Sequence, residues 1–140
     1  MLPKLCLTLS ALVLLTFAVA EPAASNAREI KRGSYLVNGI AGCPDCHTPH
    51  LPDGTPDKAH WLQGSTLLFA PLHPIPNWAS QSPPIAGLTL FKPEDVVTLL
   101  QTGALPNGKR PNPPMPTYHM TKSDAQAVVA YLQSLAPGKK

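Results

Sequence analysis

Cys43-Pro44-Asp45-Cys46-His47 places two thiols three positions apart and an imidazole directly after the second. No other stretch limits the fold as strongly. Cys-x-x-Cys-His is the sequence at which haem is attached covalently. Each thiol can form a thioether with one of the two vinyl groups on a haem edge. The histidine then lies under the iron and offers a ring nitrogen. One half-turn of chain therefore fixes a porphyrin in position, orientation and ligation. Two other uses of the pair fit less well. A thiol redox pair belongs in a strand-helix setting, which the flanking sequence does not offer. A zinc site with His47 and His50 would need adjacent Cys46 and His47 to reach one tetrahedral ion, and no second Cys-x-x-Cys exists.

The start of the chain reads as an export signal. Lys4 precedes an almost wholly apolar run over residues 5–17, and Ala18-Val19-Ala20 forms a small-residue cleavage site. The expected organisation is therefore a signal peptide over residues 1–20, a flexible leader over 21–26 and one domain over 27–140. The apolar run is shorter than the ~20 residues of a membrane-spanning helix, so no transmembrane segment is expected after cleavage. Cys6 and Met1 would leave with the signal. Only Cys43 and Cys46 would then remain, so no disulfide framework is available. Roughly 120 residues make one domain. With 18 prolines and 6% aromatic residues its own core is small, and a buried haem supplies the missing apolar surface. The formal charge of +3, which includes Lys4, is too weak to imply nucleic acid or an anionic membrane as partner.

A first helix is expected over residues 27–39, with Ile30, Gly33, Leu36, Val37 and Ile40 at helical spacing. Gly33 inside it suggests a close helix crossing, and Gly39 and Gly42 end it before the motif. Residues 48–90 lack periodicity. Pro71, Pro74, Pro76, Pro83 and Pro84 forbid long helices and central strands there. The apolar residues of this stretch, Trp61, Leu62, Leu67, Leu68, Phe69, Leu72, Ile75, Trp78 and Ile85, make it a wrap that walls in the cofactor rather than a disordered loop. A second helix is expected from Pro93, with Glu94 and Asp95 in its first turn and Gly103 as its stop. The last helix is the clearest: Thr121-x-x-Asp124 resembles a capping box, and Ala125, Val128, Val129, Leu132 and Leu135 form its apolar stripe. Pro137-Gly138 terminates it.

With His47 on one face of the iron, the other face needs a ligand on a defined loop. Met115 is favoured because Pro114 and Pro116 stiffen the backbone around a weak thioether donor. Met120, next to the cap Thr121, is expected to pack on Ala125 as a staple. His119 is a further alternative. His50 is too close to His47 to reach the opposite face, and His60 and His73 read as ordinary loop histidines.

Two segments together resemble class I (mitochondrial-type) cytochromes c, and within them the bacterial periplasmic single-haem cytochromes and cytochrome subunits of dehydrogenases. The first is Gly33-Ser34-Tyr35-Leu36-Val37-Asn38-Gly39 followed by residues 43–49. The second comprises Pro114-Met115-Pro116, Tyr118, Met120-Thr121, Asp124-Ala125 and Ala130-Tyr131-Leu132. The resemblance implies an all-α cytochrome c fold: three to five short helices around one covalent haem c, with a long Pro-rich loop in the middle. It implies that the first and last helices cross near Gly33 and Tyr131. It also implies His47 and Met115 as axial ligands and Cys43 and Cys46 as thioether bearers. Residues 61–90 match no element of the family.

The expected function is periplasmic electron transfer, with a dehydrogenase as donor and an oxidase or another cytochrome as acceptor. An iron held by His and Met has no open position for substrate but can still exchange an electron. The alternative is a haem enzyme or a gas or redox sensor with a labile distal ligand.

Overall fold

The computed structural model describes residues 22–136. The expected signal over 1–20 with its cleavage site, and the terminator Pro137-Gly138, lie outside the described residues. Helix α1 spans Pro22–Tyr35 and runs directly into a π-helical turn, Leu36–Ile40. Helix α2 is Cys43–His47, α3 is Pro93–Thr102 and α4 is Lys122–Ser134. Short 3-10 turns occupy Lys58–His60 and Ala86–Leu88. Two-residue strands β1 (Ser65–Thr66) and β2 (Gln81–Ser82) pair antiparallel, with Ser65 opposite Ser82.

Helix α1 begins at Pro22, so the stretch 21–26, expected as a flexible leader, is helical from Pro22 onward. Its C-terminal end also differs from the expected stop at Gly39. The Ala41 N–H reaches back five residues to the Leu36 carbonyl at 2.8 Å, which inserts an extra residue into the turn. Leu36 and Val37 stay buried, but the widened turn rotates Ile40 off the apolar face and leaves it 62% exposed. Gly42, at φ 61, then reverses the chain into α2.

Helices α1 and α4 cross at Gly33 and Tyr131, as the family resemblance implies. A side chain at Gly33 would collide with the carbonyl of Ala127 and the Cβ of Tyr131. The crossing is tied on both sides. Arg32 Nε donates to Asp124 at 2.9 Å, and Asn38 Nδ2 donates to the Tyr131 hydroxyl at 3.1 Å. Helix α3 starts on Pro93 and stops at Gly103 (φ 73), whose N–H bonds to Leu99 O at 2.8 Å. At the start of α4 the Thr121 hydroxyl accepts from the Asp124 N–H at 3.2 Å. Only half of the expected box forms, because the Asp124 carboxylate pairs with Arg32 instead.

The core is a layer of Leu36, Val37, Val96, Leu100, Val128, Val129 and Leu132, to which the middle of the chain adds Leu62 and Leu88. The expected wrap is thus only partly a wall. Leu62 is fully buried, whereas Leu68, Phe69, Leu72 and Ile75 face outward. Both ends of the stretch are anchored. Ile85 and Ala86 N–H groups donate to Leu62 O at 2.9 and 3.0 Å, and Leu62 N–H donates to the buried Thr48 hydroxyl at 3.0 Å. Among the described residues no helix is long and apolar enough to cross a membrane.

Candidate haem site

Helix α2 borders a cavity of about 420 Å³ whose other walls are the wrap, α3, the loop before α4, and α4 itself. Cys43 and His47 line it from one side, and Met115 lines it from the 105–116 loop. Most of the remaining surface is aliphatic or aromatic. Leu67 and Ile85 come from the wrap, Leu88 and Phe91 from the approach to α3, and Leu100 and Leu132 from the helices. None of His50, His60, His73, His119 and Met120 lines it. His119 and Met120 border a separate groove with Tyr35 and Ile40. Met120 packs against the core cluster that includes Ala125, which suits a staple, and its N–H donates to Leu100 O at 2.9 Å.

His47 is 6% exposed, and its Nδ1 lies 2.8 Å from the carbonyl oxygen of Pro83. A carbonyl only accepts, so Nδ1 carries the hydrogen and the lone pair is on Nε2. Burial pushes the His47 pKa down despite that hydrogen bond, which keeps the ring neutral. A neutral imidazole with a fixed tautomer is the form that binds a metal.

Pro83 is held in place by its neighbours. The Ser82 hydroxyl donates to the Cys46 carbonyl, and Ser65 N–H donates to the Ser82 hydroxyl at 3.1 Å. Gly64 N–H donates to His47 O at 2.8 Å. At φ 84 Gly64 sits in left-handed backbone, and an added Cβ would stand 2.9 Å from both Pro84 N and Ser82 O. The short β1–β2 ladder therefore fastens the wrap to the back of α2. Residues 61–90, where the sequence reading aligned no family element, supply the histidine's hydrogen-bond acceptor. Pro83 acts through a backbone carbonyl, which has no residue signature, so sequence reasoning missed it. The Ser82-Pro83-Pro84 run was its only visible trace.

The surroundings of the two thiols do not favour a redox pair. Burial raises Cys43 to a pKa of about 11, and burial with nearby Asp45 raises Cys46. Reactive thiols have lowered values. Nor is a metal cluster built there: among the described residues no three His, Cys, Asp or Glu side chains group to hold an ion. The cavity is lined by a neutral imidazole, a thioether, the Cys43 thiol and apolar side chains without carboxylates, while Cys46, on the same turn of α2, is not part of that lining; together they form a donor set that fits a haem.

Comparison with known proteins agrees. The cytochrome c family profile matches residues 30–136, and the chain belongs to that family. As a cytochrome c with a Cys-x-x-Cys-His motif it holds one covalent haem c and serves electron transfer. It is 33% identical over 115 residues to the cytochrome c subunit of a quinone alcohol dehydrogenase from Gluconobacter oxydans, covering 76% of this chain and 24% of that protein. It is 31% identical over 113 residues to a diheme cytochrome c-type protein of Cereibacter sphaeroides, covering 76% of this chain and 36% of that one. It is 26% identical over 112 residues to a fructose dehydrogenase cytochrome subunit of Gluconobacter japonicus, covering 74% and 21%. The chain thus spans between about a fifth and a third of the length of these relatives.

Proposed function

We propose that Cys43 and Cys46 would carry the two thioethers of the haem, that His47 Nε2 and the Met115 sulfur would hold its iron, and that the protein passes single electrons in the periplasm from a dehydrogenase to a respiratory acceptor. One observation carries the ligand assignment. His47 and Met115 line the same cavity as Cys43, and no other His or Met among the described residues lines it. A haem held by these residues would supply one-electron chemistry. The chain's own part is to hold it still. Pro83 fixes the imidazole and raises its basicity. Asn112 O accepts from the Met115 N–H at 3.2 Å, which shapes the ligand loop. Leu67, Leu100 and Leu132 exclude water.

That two of the relatives are cytochrome subunits of dehydrogenases supports a dehydrogenase as donor. The surface suggests how a partner docks. Leu67 lines the cavity, whereas Leu68, Phe69, Leu72 and Ile75 beside it are 72%, 50%, 99% and 44% exposed. Residues 61–91 contain no Asp, Glu, Lys or Arg. A redox protein meeting this rim does so through an uncharged apolar face, and the association tolerates salt.

The optical spectrum of the mature protein tests the ligation. Low-spin iron with the weak long-wavelength methionine band is expected. A high-spin ferric spectrum would remove Met115 from the iron. Fractionation and N-terminal sequencing test the location: the expected product is periplasmic and begins at Glu21, and a cytoplasmic full-length chain would refute it.

A further inference from the structure

A haem brings two propionate carboxylates as well as an apolar ring. Carboxylates taken out of water are costly unless paired. The cavity lining contains no carboxylate of its own and only two permanent cations, Lys109 and Arg110, with Asn112 close by in sequence. Among the described residues these cations have no carboxylate partner. The ion pairs among the described residues are Arg32–Asp124 and Asp57–His60, so no described carboxylate lies within 4 Å of either side chain. Nor does the local sequence offer one, because residues 96–123 contain neither Asp nor Glu.

The backbone holds the pair in place. Leu105 N–H donates to Lys109 O at 2.9 Å, and Gly108 N–H, at φ 78, donates to Leu105 O at 2.8 Å. The Asn107 side chain accepts from the Lys109 N–H at 3.0 Å. The Arg110 guanidinium lies beside Gly103, with Nη1 3.7 Å from where a Cβ on that glycine would stand.

We propose that Lys109 and Arg110 are the propionate-binding residues of this chain, and that their charges set the reduction potential of the site. This rests on the haem reading above. Reduction adds one electron, and a nearby cation favours the state with less positive charge. Unscreened propionates favour the other state. Neutralising either cation therefore shifts the redox equilibrium toward the oxidised protein. The size expected is about tenfold in the equilibrium constant for a charge near the ring, or about 59 mV for one electron.

The test uses the matured holoprotein. Wild type is compared with Lys109→Gln, Arg110→Gln, the double variant, Arg110→Lys, and Lys58→Gln as an exposed cation off the cavity. Covalent haem is scored on a denaturing gel, the midpoint potential by spectroelectrochemistry, and the propionate bending bands by resonance Raman. Lower potentials with shifted propionate bands are expected in the two Gln variants, with partial recovery in Arg110→Lys and no change in Lys58→Gln. If the double variant does not fold, the single variants decide. Fully loaded variants with unchanged potential and bands overturn the proposal, as does an equal shift in Lys58→Gln. A wild-type protein without covalent haem would instead overturn the haem reading itself.

Discussion

Gly33 lies against the Ala127 backbone so closely that a methyl group on it would overlap the Ala127 carbonyl and stand 2.7 Å from the Tyr131 Cβ. The two helices meet there main chain to main chain. Gly33→Ala should gain about 1 kcal/mol of helix propensity and lose more by forcing the helices apart, for a net loss of about 1–3 kcal/mol. Gly39→Ala is the control. Its nearest neighbour would be the Tyr35 ring at 3.6 Å, an ordinary contact, so stability should hold or rise slightly. Urea unfolding of both variants checks the contrast.

Met115 and Met120 should separate cleanly. Met115→Ala is expected to give a high-spin or newly ligated iron and a lower potential, with little change in fold. Met120→Ala should leave the spectrum intact and cost about 1–2 kcal/mol of packing, since Met120 lies against the core and outside the cavity. An unchanged spectrum in Met115→Ala would move the distal ligand elsewhere.

Gly64 joins stability to potential. An alanine there meets two backbone atoms at 2.9 Å and must hold a left-handed φ, for a loss of about 2–4 kcal/mol. The collision pushes the Ser82–Pro84 backbone away from α2 and weakens the Pro83 acceptor. A less basic His47 donates less to the iron, so the potential should rise while stability falls. Thermal melts and potentiometry on Gly64→Ala check both signs.

Arg32 and Asp124 give the α1–α4 crossing an acid dependence. The hydrogen bond from Arg32 holds the Asp124 carboxyl below its usual range. A lowered folded pKa means the contribution is full above the ordinary carboxylate value of about 4 and disappears as pH falls through the folded value. Urea midpoints of wild type and Arg32→Gln should differ at neutral pH and converge in acid. The pair is exposed, so the difference should be small and shrink with added salt.

What the sequence revealed depended on side-chain chemistry and regular spacing. The motif, the stripe from Ala125 to Leu132, the Pro93 and Gly103 boundaries and the crossing at Gly33 were all readable. The stiff loop around Met115 was legible from its flanking prolines, and the structure places Met115 on the cavity wall. The π-turn was not readable, because five-residue hydrogen bonding leaves no pattern, and Ile40 consequently ended up outside. The two-residue strands are too short to alternate. The wrap's apolar residues follow no period, so nothing assigned Leu62 inward and Leu72 outward. Pro83 contributes only a carbonyl. Lys109 and Arg110 look like loop cations until folding brings them to the cavity.

Both tryptophans of the chain, Trp61 and Trp78, lie on the wrap. Trp61 packs on the core and Trp78 meets Phe69 edge to face at 5.9 Å. A bound porphyrin absorbs indole emission, so intrinsic fluorescence is dark while the wrap is closed and brightens when it opens. The signal therefore follows this segment, whereas circular dichroism follows the helices. If the wrap detaches before α1 and α4 part, emission will rise at lower denaturant than ellipticity falls, and the two curves together will read the order of events.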